Sequence, residues 1–92
     1  MKVRWSPEAV GDLKRLHTFI AQVNPLAAVR TLRRIEAAPD RLKTHPRIGR
    51  RVEIDPPVRE IRSLFERSYE IRYEILGDAI YILRVWHGRE NR

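Results

Sequence analysis

The hydrophobic period changes once along the chain, near His45-Pro46, and this limits the fold to helices before that point and strands after it. In the first half Ser6-Pro7-Glu8 is a helix start: a hydroxyl to cap, a proline suited to the first turn and an acid where the helix dipole favours one. Ala9, Leu13, Leu16, Ile20 and Val23 then follow at spacings of four and three, which predicts one apolar face. Asn24-Pro25 repeats the cap-and-proline signal and opens a second helix with Ala28, Leu32 and Ile35 on one stripe and Val29 beside it. So short a join predicts an antiparallel helical hairpin. Pro39 cannot donate to the carbonyl four residues back, so a kink or break is expected near Ile35 to Ala38, with Asp40 to Thr44 as a further turn.

Strand signals fill the rest. Lys2 to Trp5 reads as a short opening strand, and Val58 to Leu64 is β-compatible after the Asp55-Pro56-Pro57 turn. Tyr69 to Ile75 alternates strictly, Gly77-Asp78 is a hairpin signal, and Ala79 to Trp86 is apolar on both faces, as an internal strand would be. Arg50 to Ile54 reads as a further short strand. The order is β-α-α-β-β-β, an α+β fold in which the hairpin covers one face of a mainly antiparallel sheet. The expected layout is one domain over 1–92, with a strand at 2–5, a helical hairpin at 6–45 and a sheet at 50–87.

Ninety-two residues leave no room for a second domain, and the lack of Cys removes disulfides and thiolate metal sites. Apolar runs of four or five residues are far short of the roughly 20 that span a membrane, and Met1 to Trp5 does not read as a signal peptide. A cytoplasmic location, no metal and no cofactor are the expectation. Sixteen of the 19 basic residues are Arg, and the net charge is +7. Most of the excess lies in the first 46 residues, which carry nine positive and four negative charges. Arg pairs bidentately with phosphate and carboxylate, so nucleic acid and acidic protein both fit, as does simple codon bias.

No nucleophile setting, phosphate loop or paired metal-ligand histidines occur. His17 reads as a boundary residue on a helix and His45 as part of a turn, while His87, after the last strand, could lean over the open sheet face as an acid or base. If Tyr69, Ile71, Tyr73 and Ile75 face the core, Glu70, Arg72 and Glu74 face away, with Glu60, Arg62, Arg84 and Trp86 joining them by the same parity. An Arg-Trp surface suits RNA, yet cross-strand Arg-Glu pairs account for the same residues without a ligand.

Taken in order, Trp5-Ser6-Pro7-Glu8-Ala9 with Asp12-Leu13, Asn24-Pro25, His45-Pro46-Arg47-Ile48-Gly49-Arg50, Val58-Arg59-Glu60-Ile61, Tyr69-x-Ile71-x-Tyr73 and Ile82 to Arg89 resemble the RelE/ParE superfamily of type II toxin–antitoxin toxins. The resemblance spans the chain and implies a toxin held inactive by a cognate, ParD-like antitoxin. ParE-like members poison DNA gyrase; RelE-like members cut mRNA in the ribosome. RelE-like nucleases commonly carry Arg after the first Tyr of the Tyr-x-hydrophobic-x-Tyr strand, where this chain has Glu70, and a Tyr near the C-terminus, where it ends Arg89-Glu90-Asn91-Arg92. These departures, with the long hairpin and His87-Gly88-Arg89, favour a ParE-like gyrase inhibitor without catalytic residues. Arg59, Arg72, Arg84, Trp86 and Arg89 are the expected antitoxin or target contacts. The alternatives are a ribosome-dependent endoribonuclease using His87, Arg62, Arg84 and Arg89, or an inactive antitoxin-binding member. Self-association of the free chain is a further expectation, because an antitoxin-binding surface leaves apolar groups exposed.

Overall fold

The computed structural model describes residues 1–90; Asn91 and Arg92 of the C-terminal motif lie outside the described residues. Strand β1 (Lys2–Trp5) leads into helices α1 (Pro7–Ala21) and α2 (Pro25–Ala37) and a 3-10 helix (Ala38–Lys43). Strands β2 (Arg50–Arg51), β3 (Glu60–Glu66), β4 (Tyr69–Leu76) and β5 (Ala79–His87) complete the chain. They form one sheet in the order β1-β5-β4-β3-β2. Only the β1–β5 pair is parallel. The crossover from β1 to β5 therefore carries both helices, and β5 is internal, as its two apolar faces predict.

Both caps form. The Ser6 hydroxyl accepts from the Ala9 N–H at 3.0 Å, and the Asn24 side chain accepts from the Ala27 N–H at 3.0 Å. The predicted stripe holds through Ala9, Leu13, Leu16 and Ile20 but fails at Val23, which is 88% exposed. Helix α1 ends at Ala21, so the helical spacing no longer aims Val23 at the sheet. Pro39 acts as expected: the α-helix stops at Ala37, and a 3-10 helix continues with Pro39 and Leu42 buried. Ala9, Leu16, Ile35 and Leu42 pack on Leu64, Ile71, Tyr73, Ile75, Ile80, Ile82 and Val85, forming the core between the layers.

Two strands are shorter than the sequence suggests. The candidate strand at 50–54 pairs only at Arg50 and Arg51, and β3 begins at Glu60 with Val58 exposed. Between them the Asp55-Pro56 bond is cis, and prolines at 56 and 57 have no N–H to offer a ladder. The hairpin turns are two residues long: Arg67-Ser68 links Glu66 to Tyr69, and Gly77-Asp78 links Leu76 to Ala79. Gly77 takes φ 62°, as its position signals, whereas Arg67 takes φ 54° with a side chain present.

The loop before β2 is fixed by one phenol. The buried Tyr73 hydroxyl donates to the Pro46 carbonyl at 2.7 Å and accepts from the Gly49 N–H at 3.0 Å. A Cβ on Gly49 would lie 2.5 Å from that hydroxyl and 2.8 Å from the Ser63 carbonyl, so the His45-Pro46-x-x-Gly49 pattern is a packing requirement. Gly49→Ala should therefore destabilise the chain, and Tyr73→Phe should cost about 1–3 kcal/mol by stranding the Gly49 N–H and the Pro46 carbonyl. Urea unfolding of both variants checks this; wild-type midpoints would remove the clamp.

Candidate functional site

Where β1 ends at Trp5, the outer edge of β5 continues alone, and α1 takes over its hydrogen bonds. The Ser6 N–H donates to the Ile82 carbonyl at 3.0 Å, and the Ser6 hydroxyl donates to the Leu83 carbonyl at 3.0 Å. Nearly two turns later the buried Asp12 carboxylate accepts from the Val85 N–H at 2.8 Å. It also accepts from both Arg84 Nε (2.8 Å) and Arg84 Nη2 (3.0 Å), and from Arg15 at 3.2 Å, while Arg15 donates to the Val85 carbonyl. Sequence reading placed Asp12 in a motif but not at this junction; its signal was an acid inside an otherwise apolar helix face.

A bulge at the same place sets which side chains face which way. Tyr73 pairs with Ile82 but Arg72 pairs with Arg84, leaving Leu83 as an extra residue in β5. Strict alternation from Ile80 and Ile82 would send Arg84 and Trp86 to the core. The bulge instead returns Val85 and His87 to the helix side and puts Arg84 and Trp86 on the open face, with Glu70, Arg72 and Glu74. There Trp86 lies between two guanidinium groups, Arg72 at 4.8 Å and Arg84 at 5.3 Å from its ring centroid.

Arg62 and Glu60 are not on that face. Arg62 is directly opposite Tyr73, so its side chain shares the helix-side face; it donates to the Gly49 carbonyl at 2.8 Å and to Glu60 at 2.9 Å. Alternation within β3 alone does not say which set faces the helices, and a one-residue difference in register reverses every side chain. His87 also differs from expectation. It pairs with Tyr69 in an edge-to-face contact with centroids 5.1 Å apart, on the helix side. The four residues of the nuclease alternative are therefore divided between two faces: Arg84 on one, Arg62 and His87 on the other, with Arg89 in the turn after β5.

The open-face cations are paired, only in part by the expected cross-strand ladder. Arg59, in the loop before β3, holds Glu74 through two 2.8 Å hydrogen bonds. Arg72 holds Glu70 within its own strand at 2.8 Å, and Ser63 donates to the same carboxylate at 2.7 Å. On the other face Arg47 makes a bidentate pair with Glu60 at 2.9 Å. Hydrogen bonds from Arg47 hold the Glu60 carboxyl below the usual range, and Arg59 does the same to Glu74. For Asp12 burial works in the opposite sense, but hydrogen bonds from Arg84, Val85 and Arg15 outweigh it and leave its pKa lowered.

Behind His87 is a cavity of about 600 Å³ between α1 and the ends of β4 and β5. Leu16, Phe19 and Ile20 form its apolar wall, with Tyr69, His87 and Arg89 opposite. The C-terminal turn is fastened by an Arg15–Glu90 ion pair at 2.6 Å and by the Gly88 N–H on the Ser68 carbonyl. Among the described residues, no three His, Asp or Glu side chains converge to hold a metal ion, and no helix is long and apolar enough to cross a membrane.

This architecture matches a solved structure described as a chromosomal ParDE TA system from P. aeruginosa, with a TM-score of 0.71 over 95% of each chain at 21% identity, a likeness of fold. The family model for the ParE toxin of the type II toxin–antitoxin system parDE covers residues 3–92. Among curated proteins of Caulobacter vibrioides, Toxin RelE1 is 41% identical over 88 residues (95% of this chain, 92% of the relative). Toxin ParE3 is 32% identical over 83 residues, 88% of this chain and 80% of the relative. The chain belongs to the ParE toxin family within the RelE/ParE superfamily, and is the toxin of a type II toxin–antitoxin system. Such a toxin has an antitoxin as its partner.

The Asp12 pairing has a pH consequence. Its carboxyl is lower in the folded chain than its unfolded value of about 3.9, so the contribution is complete above that pH and is lost as pH falls through the folded value. Asp12→Ala should cost about 3 kcal/mol at neutral pH by stranding the Val85 N–H and unpairing Arg84. Urea titrations from pH 7 to pH 2 should show a smaller acid loss in the variant than in the wild type; parallel curves would assign the acid sensitivity elsewhere.

Proposed function

We propose that this toxin is a ParE-like inhibitor of DNA gyrase, acting in the cytoplasm and neutralised by a cognate ParD-like antitoxin. The observation that carries this reading is the division of the candidate nuclease residues. Cleavage at a ribose 2′-hydroxyl needs a base and cations converging on one phosphate. Here His87 and Arg84 belong to opposite faces, and Arg62, Arg72 and Arg84 are each held by a carboxylate. Glu70, at the position where RelE-like nucleases commonly have Arg, is buried and further disfavours phosphate on that face.

An inhibitor that binds a protein surface has no such need. The open face is centred on Trp86, buried beneath Arg72 and Arg84, which present the surface with Arg59 toward one end. Aromatic and Arg side chains are the usual anchors of protein interfaces, and these four residues are the proposed gyrase contacts. Arg89 is assigned to the opposite side. The names of the relatives include both RelE and ParE, so the assignment to gyrase rests on the residue geometry and on the family model.

The test is direct. Purified chain added to a gyrase supercoiling assay should inhibit it, and induction without antitoxin should lower thymidine incorporation before leucine incorporation. Arg72→Gln, whose amide can still donate to the buried Glu70, should weaken gyrase inhibition severalfold, with urea unfolding of the variant measured alongside to separate a lost contact from lost stability. Early collapse of leucine incorporation, with mRNA cut in the ribosome and activity lost in His87→Ala, would establish the endoribonuclease instead.

A further inference from the structure

The cavity behind His87 has features that the gyrase reading leaves unused. Its wall is apolar, and the apolar surface continues outward: Phe19 is 70% exposed, followed along the hairpin tip by Val23 at 88% and Leu26 at 58%. Its opposite side is polar, with Tyr69, His87, Arg89 and the Glu90 carboxylate that Arg15 holds. The His87 Nδ1 accepts from the Arg89 N–H at 3.0 Å, which places the proton of the neutral ring on Nε2. Tyr69 adds a phenol. Of the two arginines at the rim, Arg15 is committed to Asp12, Glu90 and the Val85 carbonyl, whereas Arg89 has no carboxylate partner among the described residues.

An apolar wall facing Tyr69, His87 and the Arg89 guanidinium, with Glu90 already held by Arg15, fits a bulky apolar side chain with a carboxylate beside it. The volume is that of a ligand pocket rather than a surface dimple. A chain of net charge +7 also draws acidic segments by long-range attraction, and a second +7 copy is disfavoured as the occupant.

We infer that this cavity is an antitoxin anchor site: it takes one bulky apolar side chain of the antitoxin against Phe19 and Ile20, with an adjacent Asp or Glu on Arg89. The inference rests on the toxin–antitoxin assignment and not on gyrase as the target. The carboxylate meets Arg89 at the rim, where water exclusion by the apolar anchor strengthens the pair, and the exposed Val23 and Leu26 extend the covered surface toward the hairpin tip. The anchor site and the proposed gyrase face lie on opposite sides of the sheet, so an antitoxin seated here must reach further to block the target directly.

The probe is the purified product of the adjacent reading frame, titrated into the full-length toxin. Phe19→Asp should weaken binding at least tenfold. Arg89→Gln should weaken it severalfold and flatten its dependence on salt. Both changes are at exposed positions, so the fold should survive. Val58→Asp and Arg51→Glu, away from the cavity, should bind as wild type. Gyrase inhibition without antitoxin is measured in parallel and should persist in Phe19→Asp. Wild-type affinity in both cavity variants, or no binding of the adjacent product to the wild-type chain, would overturn the anchor site. So would loss of gyrase inhibition in Phe19→Asp with antitoxin affinity intact, which would make the cavity a target contact. If the wild-type chain leaves gyrase untouched while the cavity variants lose antitoxin, the gyrase proposal fails and the anchor site stands.

Discussion

The carboxylate of Asp12 joins the two layers at the point where the sheet would otherwise be left open. β5 runs five residues beyond its last pairing with β1, and an internal strand that loses its neighbour exposes backbone groups in a partly dry environment. Ser6, Asp12 and Arg15 supply the missing partners from one helix, so the same contacts that finish the edge also fix where α1 lies on the sheet. The bulge at Leu83 falls in this segment, and the Asp12 contact to the Val85 N–H helps hold the strand in the shifted register. The composition of the two faces depends on that shift: Trp86 and Arg84 outward, Val85 and His87 inward.

The two faces differ in electrostatic character as a result. On the open face the guanidinium groups are held beside carboxylates or over the buried Trp86 ring, which makes a largely charge-compensated surface. On the helix side, around the cavity, the apolar content is greater and Arg89 retains its charge. The net positive charge of the chain is thus unevenly available. Under the proposed assignments, this division gives one small domain separate surfaces for an antitoxin and for a target.

Much of the fold was legible because helices and strands announce themselves through local chemistry. The paired caps Ser6-Pro7 and Asn24-Pro25, the break at Pro39, the alternation from Tyr69 to Ile75 and the turn at Gly77 all depend on neighbouring residues, and all were found where expected. The site was legible in part. Glu70, Arg72 and Glu74 faced away from the core as alternation requires, but Glu60 and Arg62 did not join them, because the β3–β4 register is set by the Arg67-Ser68 turn, which carries no Gly, Asn or Asp to mark it. The role of Gly49 was hidden for a different reason: its need for no side chain comes from Tyr73, 24 residues away.

The sequence by itself determined the class of fold, the order of its elements and the family, since periodicity, caps and ordered short motifs are properties of contiguous residues. Tertiary structure alone decided which residues share a surface. A single extra residue at Leu83 reverses the facing of the last strand, Arg59 and Arg84 find carboxylates that are 15 and 72 positions away, and the His87 cavity exists only because α1 crosses the ends of two strands. Side-chain direction has a period of two, so it is lost to any one-residue uncertainty in register. The hydrophobic patterns that specify elements average over many residues and survive it.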